Sequence, residues 1–93
     1  MKNNRYTYMN SISWQLEPTE NYVYILNNEI GKYYLLENVG KEIWLCIDKK
    51  YSFDEIVNKL SSIFNIDKNI LVNDTKDLLN NLLSENLITN LIS

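Results

Sequence analysis

Hydrophobic and polar positions along the 93 residues follow two different periods, and the change comes near residue 37. Ile12, Trp14 and Leu16 are separated by Ser13 and Gln15, a period of two that predicts a half-buried strand. Pro18-Thr19-Glu20-Asn21 breaks that strand, and Tyr22 to Leu26 (YVYIL) predicts a second. Asn27-Asn28-Glu29-Ile30-Gly31 offers turn residues that tolerate positive φ, and Lys32 to Leu36 (KYYLL) returns as a third strand. Three strands joined by tight loops predict an antiparallel meander. Beyond Leu36 the spacing is helical: Val39, Ile43, Trp44 and Ile47 predict a helix over 38–48. Ser52-Phe53-Asp54-Glu55 has the form of a capping box, ahead of the stripe Ile56, Val57, Leu60, Ile63 and Phe64. Asp67 can cap a third helix running to about Glu85, with Leu71, Thr75, Leu78, Leu79, Leu82 and Leu83 inward. Asn86 suits a left-handed stop, after which Leu87-Ile88 returns to the sheet or covers the core. The expected order is β-β-β-α-α-α, an α+β fold. Residues 1–11 (MKNNRYTYMNS) are polar with scattered Tyr and are expected to form a loose arm.

Composition acts mainly by exclusion. A chain of this length holds one hydrophobic core, so a single domain over 1–93 is expected. It has one Cys and no His, which leaves no internal disulfide and no His-ligated or Cys-rich metal site. Neither an activated Ser nor a Cys–His pair can be built without His, and two glycines do not make a phosphate loop. Cys46 reads as a small buried hydrophobe. No catalytic residue and no cofactor are expected. Twelve acidic residues against nine basic ones argue against non-specific attraction to phosphate backbones. No apolar run reaches the roughly 18 residues of a membrane span, and a cytoplasmic location is expected.

The ordered set Gly31-Lys32-Tyr33-Tyr34-Leu35-Leu36, Val39-Gly40, Ile43-Trp44, Ser52-Phe53-Asp54-Glu55-Ile56-Val57, Asp74, Leu78, Leu82 and Leu87-Ile88 resembles the PqqD-like proteins. These are the peptide-recognition domains, or RiPP recognition elements, of pathways that make ribosomal, post-translationally modified peptides such as lasso peptides. The resemblance covers roughly residues 14–88. Glu37 departs from the usual helix-capping Asn, with Asn38 available for that role, and Asn86 replaces a Gly. The resemblance implies a winged-helix-like three-helix bundle carrying a three-stranded sheet. It also implies a function: binding the leader segment of a precursor peptide by strand addition to the third strand, for a separate modifying enzyme or leader peptidase. The peptide-binding residues it implies are Lys32, Tyr33, Tyr34 and Leu35 on the edge strand, and Leu71, Asp74, Thr75 and Leu78 on the third helix. Tyr34 and Leu36 are expected to be the core pair, leaving Tyr33 and Leu35 nearer the groove.

Two other readings share the fold. A winged-helix DNA binder needs a positive recognition helix, but residues 67–85 set Lys68 and Lys76 against Asp67, Asp74, Asp77 and Glu85. A structural dimerisation module would use the same edge strand for self-pairing, giving an edge-paired homodimer in place of a monomer.

Overall fold

The computed structural model describes residues 3–91. The elements are β1 (Arg5–Tyr8), β2 (Ile12–Glu17), β3 (Tyr22–Asn27), β4 (Lys32–Glu37), α1 (Asn38–Asp48), α2 (Phe53–Ile63), α3 (Lys68–Ser84) and β5 (Ile88–Leu91). Strands β2, β3 and β4 form the expected three-stranded antiparallel meander, followed by three helices. The fold is α+β, and winged-helix describes it only loosely.

The arm is the main correction. Residues 5–8 form a strand paired with β5, from Arg5 opposite Leu91 to Tyr8 opposite Ile88. Tyr6 is fully buried. Its large apolar body belongs to the hydrophobic core, beside residues of all three helices. Arg5 fixes the strand to α2: its Nη1 donates to Lys50 O at 2.8 Å and to Glu55 Oε1 at 2.7 Å. Phe53 N donates to Asn4 O at 2.9 Å. Met1 and Lys2, also assigned to the arm, lie outside the described residues.

Both hairpins of the meander use one device, a four-residue loop whose last residue is left-handed. Asn21 (φ 61) donates its N–H to Glu17 O, and Gly31 (φ 69) donates to Asn27 O. From β4 the chain enters α1 without a loop. Glu37 is the N-cap and makes no side-chain cap bond, so Asn38 does not act as the cap; it supplies the left-handed backbone (φ 52) that turns strand into helix. The capping box of α2 is formed, with Glu55 N on Ser52 Oγ (3.2 Å) and Ser52 N on Glu55 Oε1 (2.8 Å). Asp67 caps α3 by accepting from Asn69 N. Helix α3 stops at left-handed Asn86 (φ 59), with Asn86 N on Leu83 O and Leu87 N on Leu82 O. That is a Schellman closure, made here with Asn in place of Gly.

One face of the meander packs Val23 and Ile25 onto the helices, where Trp44, Ile43 and Ile47 of α1 meet Ile56 and Leu60 of α2 and Leu71 and Leu79 of α3. Trp44 joins the two sheets: its ring stacks on Tyr8 at 6.1 Å and meets Trp14 edge-on at 6.0 Å. Truncating it to Ala would cost about 3–5 kcal/mol.

Candidate functional site

Strand β4 lies at one edge of its sheet, and its pairing fixes which backbone groups are free. Asn28 N donates to Ser11 O at 2.9 Å, so the residues of β3 with even numbers bond towards β2 and those with odd numbers towards β4. The register opposes Val23 to Leu36, Ile25 to Tyr34 and Asn27 to Lys32. Lys32, Tyr34 and Leu36 therefore spend their N–H and C=O groups on β3. Tyr33 and Leu35 turn theirs outward, where nothing in the sheet meets them.

Beside this edge runs an apolar groove of about 350 Å³, lined by Tyr34, Leu35 and Leu36 of β4, by Leu78, Asn81 and Leu82 of α3, and by Ser84, Glu85 and Leu87 beyond. A second, more open hollow of about 340 Å³ continues it past Leu78 and Asn81, between Val39, Gly40 and Ile43 of α1 and Asp74 and Asp77 of α3. Gly40 stands at the junction. A Cβ there would lie 3.6 Å from Leu36 Cδ2 and 3.7 Å from Leu78 Cδ2, so a larger side chain would fill the passage.

Of the residues that the resemblance implies, Tyr34, Leu35 and Leu78 line the groove and Asp74 lines its extension. Lys32 stands at one end, its Nζ 2.9 Å from Glu85 Oε1 and 5.3 Å from the centroid of the Tyr34 ring. The Glu85 carboxylate pushes the pKa of Lys32 up. Two assignments are corrected. Leu71 and Thr75 are fully buried, and Thr75 Oγ1 donates to Leu71 O at 2.7 Å, so both belong to the core and not to the groove. Tyr33 lies on the opposite face of the sheet, stacked on Tyr24 with ring centroids 5.5 Å apart. The expectation that Tyr33 lies nearer the groove than Tyr34 is therefore reversed: Tyr34 and Leu36 pack on the core and also form the groove wall.

Gly40, Asn81 and Glu85 were missed. Gly40 carried a signal, because a Gly within a helical pattern is less favourable than Ala and calls for a spatial reason. Cys46 is buried, and burial pushes its thiol pKa up, the reverse of an activated nucleophile. Among the described residues no group of His, Cys, Asp and Glu is arranged to hold a metal ion, and no helix is long and apolar enough to cross a membrane.

The sequence model of one protein family, described as coenzyme PQQ synthesis protein D (PqqD), matches residues 22–88. The chain belongs to the PqqD family. The match takes in β3, β4, all three helices and the start of β5, and so the whole of the groove. Two solved structures share the fold of this PqqD-family chain. One is TbiB1 in complex with the TbiA(beta) leader peptide, with a TM-score of 0.83 at 21% identity, covering 94% of this chain and 99% of that one. The other is a lasso peptide synthetase B1 complexed with the leader peptide, with a TM-score of 0.80 at 15% identity, covering 90% and 96%. A stretch of 50 residues is 34% identical to the large ribosomal subunit protein bL21 of Prochlorococcus marinus. The stretch is 54% of this chain and spans only a third of that protein's length.

Proposed function

We propose that this chain captures the leader segment of a ribosomally made precursor peptide by strand addition to β4, and presents it to a separate modifying or processing enzyme. The observation that carries the reading is the unpaired edge at Tyr33 and Leu35 running beside an apolar groove. The two solved proteins of the same fold hold leader peptides, which supports it. Residues 67–85, α3 with its two caps, carry four acidic residues against two basic ones, which does not suit a nucleic acid.

The energetics assign different tasks to edge and groove. Ordering six to eight leader residues costs roughly 1–2 kcal/mol each, while micromolar affinity needs about −8 kcal/mol net. Edge hydrogen bonds return only about 1 kcal/mol each. Two or three apolar anchors, at about 1.5–3 kcal/mol each, close much of the gap. The edge holds any extended chain, and the groove selects among them. Binding needs no cofactor, and the chemistry belongs to the partner enzyme, in the cytoplasm.

The test is a residue-resolved NMR titration with the N-terminal half of a short precursor peptide encoded beside the gene. Shifts on residues 32–36 and on the Asp74–Leu78–Asn81 face of α3, at micromolar affinity, are expected. No shifts, with concentration-dependent broadening of β4, would replace the reading with self-association.

A further inference from the structure

Strand addition at β4 has a second face. Side chains alternate across a strand, and residues directly opposite each other in neighbouring strands share a face. A peptide hydrogen-bonded to Tyr33 and Leu35 therefore sets the two residues opposite them on the outer side of the sheet, away from the helices. Only the residues between and beyond those two reach the groove.

The outer side is shaped for contact at that edge. Tyr33 is 61% exposed and Leu35 52%. Behind them on β3 are Tyr24, stacked on Tyr33 at 5.5 Å and 19°, and half-buried Leu26. On β2 the same face is polar, with Ser13, Gln15 and Glu17. Apolar character thus rises across the sheet towards the open strand. A protein covering the entire face would have no use for that gradient; an added strand uses only its high end.

Resting on the leader-capture reading, we propose that Tyr33 and Leu35, with Tyr24 behind them, form the second wall of the peptide site. The ligand it takes is an extended segment with apolar or aromatic side chains on both faces: a contiguous apolar run of four or five residues, in which the two opposite Tyr33 and Leu35 are apolar as well as those entering the groove. A second copy of the chain fits less well. The inner-face side chains of its β4, Tyr34 and Leu36, already pack on their own core and cannot enter this groove.

The full chain is used to select peptides from a phage-displayed library of random twelve-residue sequences, in parallel with Tyr33→Thr/Leu35→Thr and with Leu78→Asp. Threonine keeps strand propensity at exposed positions, and circular dichroism melts check that each variant folds. The wild type should enrich contiguous apolar runs. The double Thr variant should enrich sequences apolar at alternate positions only, and should bind the wild-type winners about tenfold more weakly. Leu78→Asp should enrich few sequences or none. Winners with alternating patterns from both the wild type and the Thr variant would overturn the second wall while leaving leader capture standing. No enriched peptide from the wild type, or enrichment indifferent to Leu78→Asp, would sink leader capture and this inference together. So would dimerisation of the wild type that the Thr substitutions abolish.

Discussion

Lys32 Nζ and Glu85 Oε1, 2.9 Å apart, tie the first residue of β4 to the C-cap of α3 across one end of the groove. Both side chains are about half exposed, so the bridge adds little to stability. Its position matters more. Lys32 also lies over the Tyr34 ring, whose hydroxyl is sealed from solvent without a hydrogen-bond partner. A peptide added along β4 is expected to compete with this bridge where it passes Glu85, which lines the groove. Glu85→Gln should leave the melting temperature nearly unchanged and raise the affinity for a groove-binding peptide a few-fold, read by calorimetric titration. A fall in affinity would mean that Glu85 instead contacts the peptide.

Gly40 gives a sharper test, because stability and binding should move in opposite directions. Its backbone is not left-handed, and an added Cβ meets Leu36 and Leu78 at ordinary contact distances. Gly40→Ala should therefore fold and gain stability from helix propensity, by less than the roughly 1 kcal/mol of a helix interior because Gly40 lies in the first turn of α1. The methyl group also narrows the passage between the two hollows, and Gly40→Leu would close it. Denaturant melts should rise for Ala, while peptide affinity falls for Ala and further for Leu. Unchanged affinity in both variants would remove this passage from the site.

The meander and the three helices were legible because each carries its own period and its own stop signals. Strand β1 was not, since Tyr6 and Tyr8 alternate within polar surroundings and the partner strand lies some 80 residues away in sequence. In α3 the difficulty was rotational. Leu71, Thr75, Leu79 and Leu82 face the core, while Asp74, Leu78, Asn81 and Glu85 form the neighbouring stripe that faces the groove. The two stripes are a single residue apart, about 100° around the helix. Periodicity finds the wide apolar face of α3 but not which edge of it is left open. The pattern placed Leu71 and Thr75 inward, as they are; the resemblance put them in the site, and it did not bring in Asn81 or Glu85.

Backbone parity on β4 makes proline a discriminating probe. Tyr33 and Leu35 point their N–H groups out of the sheet, whereas Tyr34 donates to β3. Leu35→Pro should leave a folded domain that no longer binds peptide, since proline is tolerated where an edge N–H is free. Tyr34→Pro should unfold the β3–β4 hairpin, because it removes a ladder bond and a half-buried ring together. Far-ultraviolet circular dichroism separates the two outcomes. Peptide binding by folded Leu35→Pro would exclude strand addition at this edge.

Asp74 and Asp77 set the charge of the groove extension. Neither has a salt-bridge partner among the described residues, so a basic side chain of a peptide threaded past Gly40 would meet two uncompensated carboxylates. Asp74→Lys with Asp77→Lys should weaken binding of such a peptide about tenfold at low salt and reverse the sign of the salt dependence of its affinity, because screening then relieves a repulsion. Circular dichroism should stay unchanged, because both positions are exposed. Equal affinity at low and high salt in the unmodified protein would show that the acidic end does not read charge.

The anchoring of β1 to α2 should be visible in acid. Glu55 accepts from Ser52 N and from Arg5, and these bonds, the backbone one foremost, hold its carboxyl below the ordinary value of 4.5. A group with a lowered folded pKa stabilises the fold fully above its unfolded value, and that contribution is lost as pH falls through the folded one. Melting temperatures should therefore drop below about pH 4.5, partly through Glu55. Gln at position 55 preserves the reciprocal cap on Ser52 but carries no charge for Arg5. Glu55→Gln should melt slightly lower than the unmodified protein at pH 7, and the two curves should converge below pH 4.5 as the pH falls through the lowered folded value and Glu55 protonates. Parallel curves across that range would mean that the Arg5–Glu55 pair contributes nothing measurable, leaving β1 held by Tyr6 burial and its pairing with β5.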